Sequence, residues 1–386
     1  MTMGHKAFKY RLHPNAVQEK LLDSTLYLCR QLYNAGLEER RTAYRKCGVS
    51  VSYYEQKRSL TEIKTDLLEY KGVHSQVLQD VIERLDKSFK GFFRRVKSGV
   101  KAGYPRFKGK FHYDSFTYPQ AGKTGAMPLP DSGKVYLSKI GNVRCKYHRP
   151  LEGAVKTATV KREGDKWYIV FVCEVETQPL PTTGDVIGID LGTNPNFLIT
   201  SDGEFVEAPR HFKKAERKIG LLQRKADKKK RGSRRQKELK RQIAAEHRRV
   251  VNRRRDFHHK TARALVNRHD AIFHEDLNII GLARTRTAKG VLDAGWASFI
   301  NILSLKAANA GRTVLGVDPK YTSQDCSQCG HRQKVKIGHA YVCANCGMEM
   351  HRDQNAAVNI LNRGRDAAFC ESVQSTALAD QRSLAL

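Results

Sequence analysis

Long hydrophobic runs are absent from this 386-residue sequence. A membrane-spanning helix needs roughly 20 consecutive apolar residues, whereas stretches such as IVFVC at 169–173 have only the length of a strand. The first residues, MTMGHKAFKYRL, also lack the apolar centre of a signal peptide. The sequence therefore predicts no membrane segment, and we expect a cytoplasmic protein with no membrane partner.

Acidic residues are scarce relative to basic ones. The sequence has 39 aspartate and glutamate residues against 70 lysine and arginine residues, which gives a net charge of +31. Such an excess makes the folded chain repel itself, and it is typical of proteins that bind a polyanion. Because no amphipathic anchor or lipidation motif accompanies it, the charge favours nucleic acid over a membrane surface. A soluble protein that is merely basic is the remaining alternative.

The positive charge is concentrated in residues 210–260, which contain 22 basic residues against 5 acidic ones. Apolar positions recur there at roughly helical spacing and are interrupted at Gly232 and Ser233, so the pattern predicts a helical hairpin. A merely solvated hairpin is the alternative, but a solvated face usually mixes both signs of charge. We therefore expect this segment to hold an RNA or heteroduplex backbone. The most basic run within it comprises Lys228, Lys229, Lys230 and Arg231.

Cysteine is sparse outside one cluster. Five of the nine cysteines are scattered, and disulfides are rare in the cytoplasm, so we expect none. The other four form two Cys-x-x-Cys-Gly turns separated by 13 residues (330–342), which predicts a zinc ribbon rather than redox pairs. Four thiolates leave no open coordination position, so this Zn²⁺ would be structural. The predicted ligands are Cys326, Cys329, Cys343 and Cys346.

The spacing of apolar residues divides the chain into helical and strand-rich regions. Residues 6–12 alternate like a strand, and residues 77–96 keep the i, i+4, i+7 spacing of an amphipathic helix. Residues 103–178 contain alternating runs that predict an antiparallel β-barrel. The segment QPLPTTG at 178–184 is typical of a linker between domains.

Aromatic side chains alternate with cations across residues 104–118. Aromatics in such a setting can stack on the bases of a single-stranded nucleic acid. They can equally pack the interior of a barrel. The sequence leaves both interpretations open.

Three acidic residues stand in unusual contexts. Asp190 lies within the otherwise apolar strand VIGIDLG, Glu275 ends a strand before Asp276, and Asp353 begins a helix after the cysteine cluster. A charge in an apolar strand is costly unless it is paired or bound to metal, whereas Asp353 alone would pass as a helix-terminal residue. The order of these elements is the pattern of an RNase H-like fold. In that fold three carboxylates meet at one sheet edge and hold two Mg²⁺ ions for phosphodiester hydrolysis.

Several motifs together resemble the TnpB family of transposon-encoded, RNA-guided DNA endonucleases, relatives of type V CRISPR effectors. The motifs are GIDLG (188–192), HEDLNIIGL (274–282), YTSQDCSQCG (321–330), YVCANCG (341–347) and HRDQNAAVNI (351–360), with KAFKYRLHPNAVQEKLL, SQVLQDVIERLDKSFKGFFRR and GYPRFKGK before them. The resemblance spans about residues 6–365 and implies that Asp190, Glu275 and Asp353 are RuvC-like catalytic acids holding two Mg²⁺ or Mn²⁺ ions. The segment TNPN at 193–196 departs from the family pattern beside Asp190.

The resemblance also implies a multidomain α+β architecture. An OB-like β-barrel wedge domain (1–12 and 102–182) would be interrupted by a helical recognition module (13–101). An RNase H-like (RuvC) α/β nuclease domain (183–319 and 348–366) would follow, with the zinc ribbon (320–347) inserted into it. We expect a disordered tail over residues 367–386, where the composition becomes small and polar.

Partners follow from the resemblance as well. A guide RNA made from the transposon end would pair with one strand of double-stranded target DNA, while the protein reads a short flanking motif. We expect Ser75, Gln76 and Gln79 to contact DNA near that motif, although Ser75 would equally serve as a helix cap. We expect a monomer in the complex, in the prokaryotic cytosol or nucleoid.

A guided, metal-dependent DNA endonuclease associated with a transposable element is therefore the favoured function. A guided DNA-binding repressor without cleavage is the alternative from another class, and the complete Asp-Glu-Asp set counts against it. A miniature type V CRISPR effector would use the same chemistry. A strand-transfer transposase would also use three carboxylates, but the resemblance favours hydrolysis.

Overall fold

The structure, a computed structural model, describes residues 2–110, 112–122, 124–335 and 340–383, with side chains from residue 3 to residue 367 within those ranges. Two compact units divide the chain, Met1–Glu176 and Thr177–Leu386. The boundary directly precedes the predicted linker at 178–184. None of the helices in the described ranges is both long enough and apolar enough to span a bilayer.

A seven-stranded sheet forms the base of the first unit. Its strands are β1 (Thr2–His13), β2 (Ser115–Tyr118), β3 (Ala126–Leu129), β4 (Lys134–Leu137), β5 (Gly141–Lys146), β6 (Ala154–Glu163) and β7 (Lys166–Thr177). Their order in the sheet is β2-β6-β7-β1-β5-β4-β3. Antiparallel pairing joins β2 to β6 and β6 to β7, and it also joins β1, β5, β4 and β3. Every second side chain of β7 is buried from Trp167 to Cys173, as a strand with one buried face requires.

Helices fill the chain between β1 and β2. They are α1 (Ala16–Cys47), α2 (Tyr53–Arg58), α3 (Leu60–Asp66), a 3₁₀ helix (Leu68–Gly72) and α4 (Ser75–Lys97). A capping box starts α1, because the Asn15 side chain accepts from the Gln18 N–H at 2.8 Å and the Gln18 side chain accepts from the Asn15 N–H at 3.2 Å. The apolar stripe of α4 is buried from Val77 to Phe89, which confirms the predicted amphipathic helix, whereas Phe93 and Val96 in its last turns are 60% and 53% exposed.

The structure separates the aromatic residues of the 104–118 segment into two groups. Tyr113, Phe116 and Tyr118 are at most 8% exposed, so they pack the core of the first unit. Tyr104 and Phe107 are 43% and 45% exposed. Phe111 lies outside the described residues. Core packing therefore explains the end of the segment, and base stacking stays open only for its beginning.

The second unit contains a mixed five-stranded sheet. Its strands are β8 (Val186–Leu191), β9 (Asn196–Thr200), β10 (Phe205–Glu207), β11 (Ala271–Glu275) and β12 (Thr313–Val317). The order is β10-β9-β8-β11-β12. The β8–β9 and β9–β10 pairs are antiparallel, whereas β8, β11 and β12 run parallel. Along the chain, the sheet begins with the β8–β9–β10 hairpins and continues through two crossovers to β11 and β12.

The crossovers and the C-terminal part of the second unit are helical. The helices are α5 (His211–Asp227), α6 (Arg234–Arg268), α7 (Ile279–Leu282), α8 (Ala288–Ala294), α9 (Trp296–Asn309) and α10 (Arg352–Ser383). A short antiparallel pair, β13 (Ala340–Val342) and β14 (Glu349–His351), lies between β12 and α10. The break between α5 and α6 falls at the predicted place, and the Ser233 side chain caps α6 by accepting from the Gln236 N–H at 3.2 Å.

The C-terminal helix corrects one expectation. α10 continues to Ser383, so the structure gives residues 367–383 as helix rather than as a disordered tail. The physical reason is that no glycine or proline follows Gly364, while alanine and other good helix formers are frequent there. Residues 384–386 lie outside the described range.

Helix α10 lies so close to the sheet that only glycine fits at two positions. A Cβ atom at Gly188 in β8 would come within 3.0 Å of the Ala357 carbonyl oxygen and the Leu361 amide nitrogen. A Cβ atom at Gly364 in α10 would come within 3.0 Å of the Phe273 ring in β11. The atoms that face Gly188 belong to the backbone and cannot move aside as a flexible side chain can, so this contact fixes the position of α10 on β8, and the buried Phe273 ring of β11 packs against Gly364.

We predict that Gly188→Ala lowers the free energy of unfolding of the protein by about 3 kcal/mol, at the upper end of the range for overpacked sites. The added methyl group has to displace α10 from β8. Gly220→Ala is the matched control, because a Cβ atom at this position in α5 meets nothing within 4 Å. It should stabilise by about 0.5–1 kcal/mol as a helix-interior glycine replacement. Urea unfolding of both variants measures this, and equal stability of Gly188→Ala and wild type would contradict it.

Candidate active site and metal centre

Asp190 and Glu275 lie side by side at the same edge of the five-stranded sheet. Strands β8 and β11 are parallel, and their last paired positions are Ile189 and His274. Asp190 and Glu275 each follow one residue later, and in-register positions of neighbouring parallel strands face the same side. Both residues are half-buried. The two carboxylates predicted from separate strands are therefore neighbours.

Asp353, the second residue of α10, brings the third carboxyl group to this edge. Burial, followed by the negative charges of Glu275 and Asp353, raises the pKa of the Asp190 carboxyl to about 8. The positive charge of Arg352 opposes that rise, and its Nη1 lies 3.2 Å from Asp353 Oδ1. Glu275 and Asp353 are thus both close enough to Asp190 to repel its carboxylate, and the positive charge of Arg352 favours the ionised form of Asp190.

Glu275 is held by its own set of partners. Burial raises the pKa of its carboxyl, while a hydrogen bond from Thr322 and the positive charges of Arg363 and Arg352 oppose the rise. The Thr322 hydroxyl donates to Glu275 Oε1. The site is therefore a partly desolvated group of carboxylates with cationic side chains at its margin.

The donor set fits Mg²⁺ or Mn²⁺. Carboxylate oxygens are the ligands that these ions prefer, and a divalent cation would relieve the repulsion that raises the Asp190 pKa. Among the described residues, the compact group of possible metal ligands is that of the four cysteines, whose sulfur atoms all lie within 4.8 Å of one another. Asp190, Glu275 and Asp353 do not form a group that compact among the described residues.

The four cysteines of the cluster come together as predicted. The Sγ atoms of Cys326 and Cys346 are 3.7 Å apart, and those of Cys329 and Cys343 are 3.6 Å apart. Four sulfurs around a tetrahedral Zn²⁺ at about 2.3 Å would be separated by about 3.8 Å. The sulfur positions therefore fit one zinc ion.

The two turns of the cluster have the same construction. The Gly330 N–H donates to the Cys326 carbonyl at 2.9 Å, and the Gly347 N–H donates to the Cys343 carbonyl at 3.0 Å. Both glycines have positive φ, 77° and 72°, a conformation that glycine adopts without strain. A hydrogen bond from the Asn345 side chain and a backbone N–H lower the pKa of Cys329 to about 6, whereas burial and the neighbouring cysteines raise the pKa of Cys346 to about 12. The part of the connecting loop at 336–339 lies outside the described residues.

We predict that Cys343→Ser releases the bound zinc and destabilises the segment that contains β13 and β14. Structural zinc contributes directly to folding, and serine is a poor replacement for a thiolate ligand. Elemental analysis and limited proteolysis check the two parts of this prediction. Cys47→Ser, at an exposed cysteine in α1, is the control and should retain one zinc per chain. Wild-type protein that contains no zinc would refute the assignment.

Three family models match separate parts of the chain. Residues 1–48 match a model described as "Helix-turn-helix domain", residues 170–286 one described as "Probable transposase", and residues 296–360 one described as "Cas12f1-like, TNB domain". In this structure the first matched segment contains β1 and the single continuous helix α1. The last matched segment contains the cysteine cluster and Asp353.

Relatives match over much longer ranges. A "TnpB-like protein L79" of Acanthamoeba polyphaga mimivirus is 29% identical, and the match covers 56% of this chain and 45% of that protein. An Escherichia coli (strain K12) protein named "Putative RNA-guided DNA endonuclease InsQ" is 31% identical over 392 residues, which is 96% of this chain and 95% of that protein. The chain belongs to the TnpB family.

A solved structure shares the fold of this TnpB-family chain. The "Cryo-EM structure of the Cas12f1-sgRNA-target DNA complex" contains a chain with a TM-score of 0.59 and 14% sequence identity. The similarity covers 93% of this chain and 98% of that chain. At this identity the similarity concerns the fold alone, and it confirms a multidomain α+β protein.

The segment that departs from the TnpB pattern leaves the strand beside it paired. After residues 193–196 the chain enters β9, and the Gly192 N–H donates to the Phe197 carbonyl at 2.9 Å. Asp190 pairs with Ile199, and Leu191 pairs with Leu198. The departure is therefore accommodated in the turn and does not interrupt the strand that carries Asp190.

The structure places the most basic run at the tip of the α5–α6 hairpin. Lys228, Lys229, Lys230 and Arg231 are all exposed. In the part of the chain that the structure describes, none of them has a carboxylate within ion-pair distance, whereas acidic residues such as Glu246 are paired: Glu246 Oε1 lies 2.5 Å from Lys218 Nζ. Uncompensated positive charge at an exposed tip favours phosphate binding over a merely solvated helix.

We predict that replacing Lys228, Lys229, Lys230 and Arg231 with glutamine weakens RNA and heteroduplex binding to a similar degree for all sequences. Each lost phosphate contact should reduce the slope of log K against log[salt] by about 0.7–0.9. Fluorescence anisotropy at several NaCl concentrations measures the slope. The control variant has arginine at 228, 229 and 230, which keeps the positive charge and should keep the slope. An unchanged slope in the glutamine variant would mean that the tip of the hairpin is only solvated and does not bind phosphate.

The predicted DNA contacts Ser75, Gln76 and Gln79 lie at the start of α4. Ser75 is exposed, and the two glutamines are half-buried. The helix-cap alternative for Ser75 is wrong, because the N-cap residue is His74 and the Ser75 hydroxyl accepts from Lys64 Nζ at 2.6 Å. Gln76 Nε2 donates to Gln120 Oε1 at 2.6 Å. These residues stay candidates for DNA contact.

Several residues around the carboxylates were missed from the sequence. Thr322 donates a hydrogen bond to Glu275. The positive charge of Arg363 opposes the rise in the pKa of Glu275, and that of Arg352 opposes the rise in the pKa of Asp190. Asn355 and Asn359 are buried on α10 and bind the chain before the cysteine cluster. Two asparagines four residues apart on an otherwise apolar helix face were the available signal, because a buried amide requires a partner.

Proposed function

We propose that this TnpB-family protein is an RNA-guided, divalent-metal-dependent DNA endonuclease associated with a transposable element. The observation that carries the proposal is the convergence of Asp190, Glu275 and Asp353 from two parallel strands and one helix, where burial, followed by the charges of Glu275 and Asp353, raises the pKa of Asp190 to about 8. A carboxylate group of this kind in a chain of net charge +31 is a metal site rather than a phosphate-binding surface. The similarity to proteins named RNA-guided DNA endonucleases supports it.

The three carboxylates would hold two Mg²⁺ or Mn²⁺ ions. Such ions activate water and stabilise the leaving oxygen of a phosphodiester during hydrolysis. Asp190 and Glu275, on neighbouring strands, would set the spacing of the ligand oxygens, and Asp353 would close the site from α10. Arg352, beside Asp353, would keep the carboxylates ionised and attract the DNA phosphate. The cysteine cluster would hold one structural Zn²⁺ and take no part in the chemistry.

The finer architecture also belongs to this proposal. Residues 1–12 and 102–182 would form an OB-like wedge domain around the helical recognition module at 13–101. Residues 183–319 and 348–366 would form a RuvC-like nuclease domain around the ribbon at 320–347. The guide RNA would come from the transposon end, and a monomer would cut double-stranded DNA next to a short flanking motif. Ser75, Gln76 and Gln79 would contact that DNA, and the protein would act in the prokaryotic cytosol or nucleoid.

We predict that Asp353→Ala abolishes guided cleavage and leaves binding of guide RNA and target DNA nearly intact, because this carboxylate holds metal rather than phosphate. Asp190→Ala and Glu275→Ala should give the same result. Combining two of them should add little, since residues that act as one unit are non-additive. Cleavage should require Mg²⁺ or Mn²⁺ and fail with Ca²⁺ or a chelator. Sequencing the RNA that copurifies with the protein supplies the guide for a plasmid-cleavage assay and a parallel binding assay.

Asp131→Ala is the control for this series, because Asp131 is an exposed aspartate in the first unit and its loss changes the net charge by the same amount. It should cut like wild type. If Asp353→Ala cut DNA as fully as wild type, Asp353 would be only a helix-terminal residue, and the proposed three-carboxylate site would be wrong. Guided binding by wild type without any cutting, in Mg²⁺ and in Mn²⁺, would instead support the repressor alternative.

A further inference from the structure

A threonine in the chain between β12 and the cysteine cluster contacts one of the three carboxylates. Thr322 is 2% exposed, and its Oγ1 is within hydrogen-bond distance of Glu275 Oε1 and, at 3.2 Å, of the Pro319 carbonyl oxygen. A hydroxyl group has one proton to donate, and a charged acceptor forms the stronger hydrogen bond. The Thr322 proton is therefore directed at the Glu275 carboxylate.

Two buried asparagines of α10 fix the backbone around Thr322. Asn359 Nδ2 donates to the carbonyl oxygens of Thr322 and Asp325 at 2.8 and 2.7 Å. Asn355 Nδ2 donates to the Asp325 carbonyl at 2.8 Å, and Asn355 Oδ1 accepts from the Ser327 N–H at 2.9 Å. Buried hydrogen bonds of this kind are costly to leave unmade. The position of Thr322 is thus set by α10.

The helix that holds Thr322 also carries Asp353. A third contact strengthens the connection, because Arg363 Nη1 donates to the carbonyl oxygens of Asp318 and Lys320 at 2.9 and 2.6 Å. The segment from β12 to the cysteine cluster is therefore attached to α10 at several points. Because Thr322 also donates to Glu275, the orientation of the Glu275 carboxylate depends on the position of α10. Asp353 lies on the same helix, so the two carboxylates are positioned together.

We propose that Thr322 is a positioning residue, which holds the Glu275 carboxylate in the orientation in which it binds a divalent cation together with Asp190 and Asp353. Asn359 in turn holds Thr322 in place. This inference rests on the proposed function, in which Glu275 is a metal ligand. Groups that orient a metal ligand from outside the coordination sphere commonly contribute 10–100-fold to metal affinity or activity.

Variants at position 322 separate positioning from packing. Thr322→Val keeps the shape and removes the donor, whereas Thr322→Ser keeps the donor and removes a methyl group. Thr25→Val is the control for replacing a buried threonine, because Thr25 is 6% exposed and donates to the Leu21 carbonyl at 2.8 Å in α1. Glu275→Ala is the fourth variant and removes the ligand itself.

The primary measurement is Mn²⁺ binding, followed by electron paramagnetic resonance, on the zinc-loaded protein bound to guide RNA without target DNA, because Mn²⁺ would allow the wild type to cut the target during the titration. Nucleic acid binds Mn²⁺ as well, but that background is the same in every complex. The Glu275→Ala complex measures this background signal. Subtracting it leaves the Mn²⁺ whose binding depends on Glu275. The Mg²⁺ dependence of plasmid cleavage is measured beside it.

Thr322→Val is expected to weaken Glu275-dependent Mn²⁺ binding by about 10-fold. It should raise the Mg²⁺ concentration for half-maximal cleavage by a similar factor, with cleavage largely restored at saturating Mg²⁺. Zinc content, Tm and target binding should stay near wild type. Thr322→Ser and Thr25→Val should match wild type in Mn²⁺ affinity, since both keep the hydroxyl donor to Glu275.

Two results would overturn the positioning role: wild-type Mn²⁺ affinity in Thr322→Val, or an equal loss in Thr322→Ser, which would indicate packing. Failure of the proposed function has a different signature. In that case Glu275→Ala would bind as much Mn²⁺ as wild type and would cut DNA, whatever the behaviour of the position-322 variants.

Discussion

The close packing of α10 on the five-stranded sheet is the constraint on which the second unit depends. Gly188 and Gly364 have no side chains, so the helix backbone meets β8 and the Phe273 ring of β11 directly. Ala357 and Ile360, on the same helix face, are fully buried. A protein interior is packed too densely to absorb even one extra methyl group without movement. The start of α10, and Asp353 with it, is therefore held at the edge where Asp190 and Glu275 end their strands.

Electrostatics explains why so rigid a support is needed. Three carboxyl groups in a partly desolvated site repel one another, and the repulsion would move them apart or neutralise one of them. That cost appears in the pKa of Asp190, which burial and the charges of Glu275 and Asp353 raise to about 8. Rigid packing keeps the carboxylate oxygens together, and a bound cation would offset the repulsion between them. The chain as a whole has a net charge of +31, which attracts phosphates, whereas the three carboxylates attract cations.

Much of the fold could be predicted from the sequence because its signals are local. Alternation predicted β7, helical spacing predicted α4, and the break at Gly232 and Ser233 separated α5 from α6. The spacing of the cysteines predicted that their sulfur atoms lie together, because each Cys-x-x-Cys-Gly turn directs its two thiolates to the same side. The helical continuation of α10 was missed, because a small, polar composition was given more weight than the absence of glycine and proline.

The site was predicted less completely, for a physical reason. Asp190, Glu275 and Asp353 are visible because a charge in an apolar strand, or at the head of a late helix, departs from the local pattern. Thr322 and Asn359 do not depart from any local pattern. Their importance depends on partners far away in the chain, and such partners become apparent only when the strands and α10 are in place. The close contact at Gly188 likewise depends on a helix that follows it by more than 150 residues.

The place of the cysteine cluster in the chain follows from the same constraint. The segment between Glu275 and Asp353 passes through β12 and then leaves the sheet, and a long flexible connection would leave the helix start poorly defined and entropically costly to fix. A metal ion held by the four cysteines would order that connection. The asparagines of α10 then attach it by hydrogen bonds to the Asp325 carbonyl and the Ser327 N–H, on either side of Cys326. The four cysteines are thus joined to the helix that carries Asp353, so a metal ion held by these cysteines would help to determine where the third carboxylate lies.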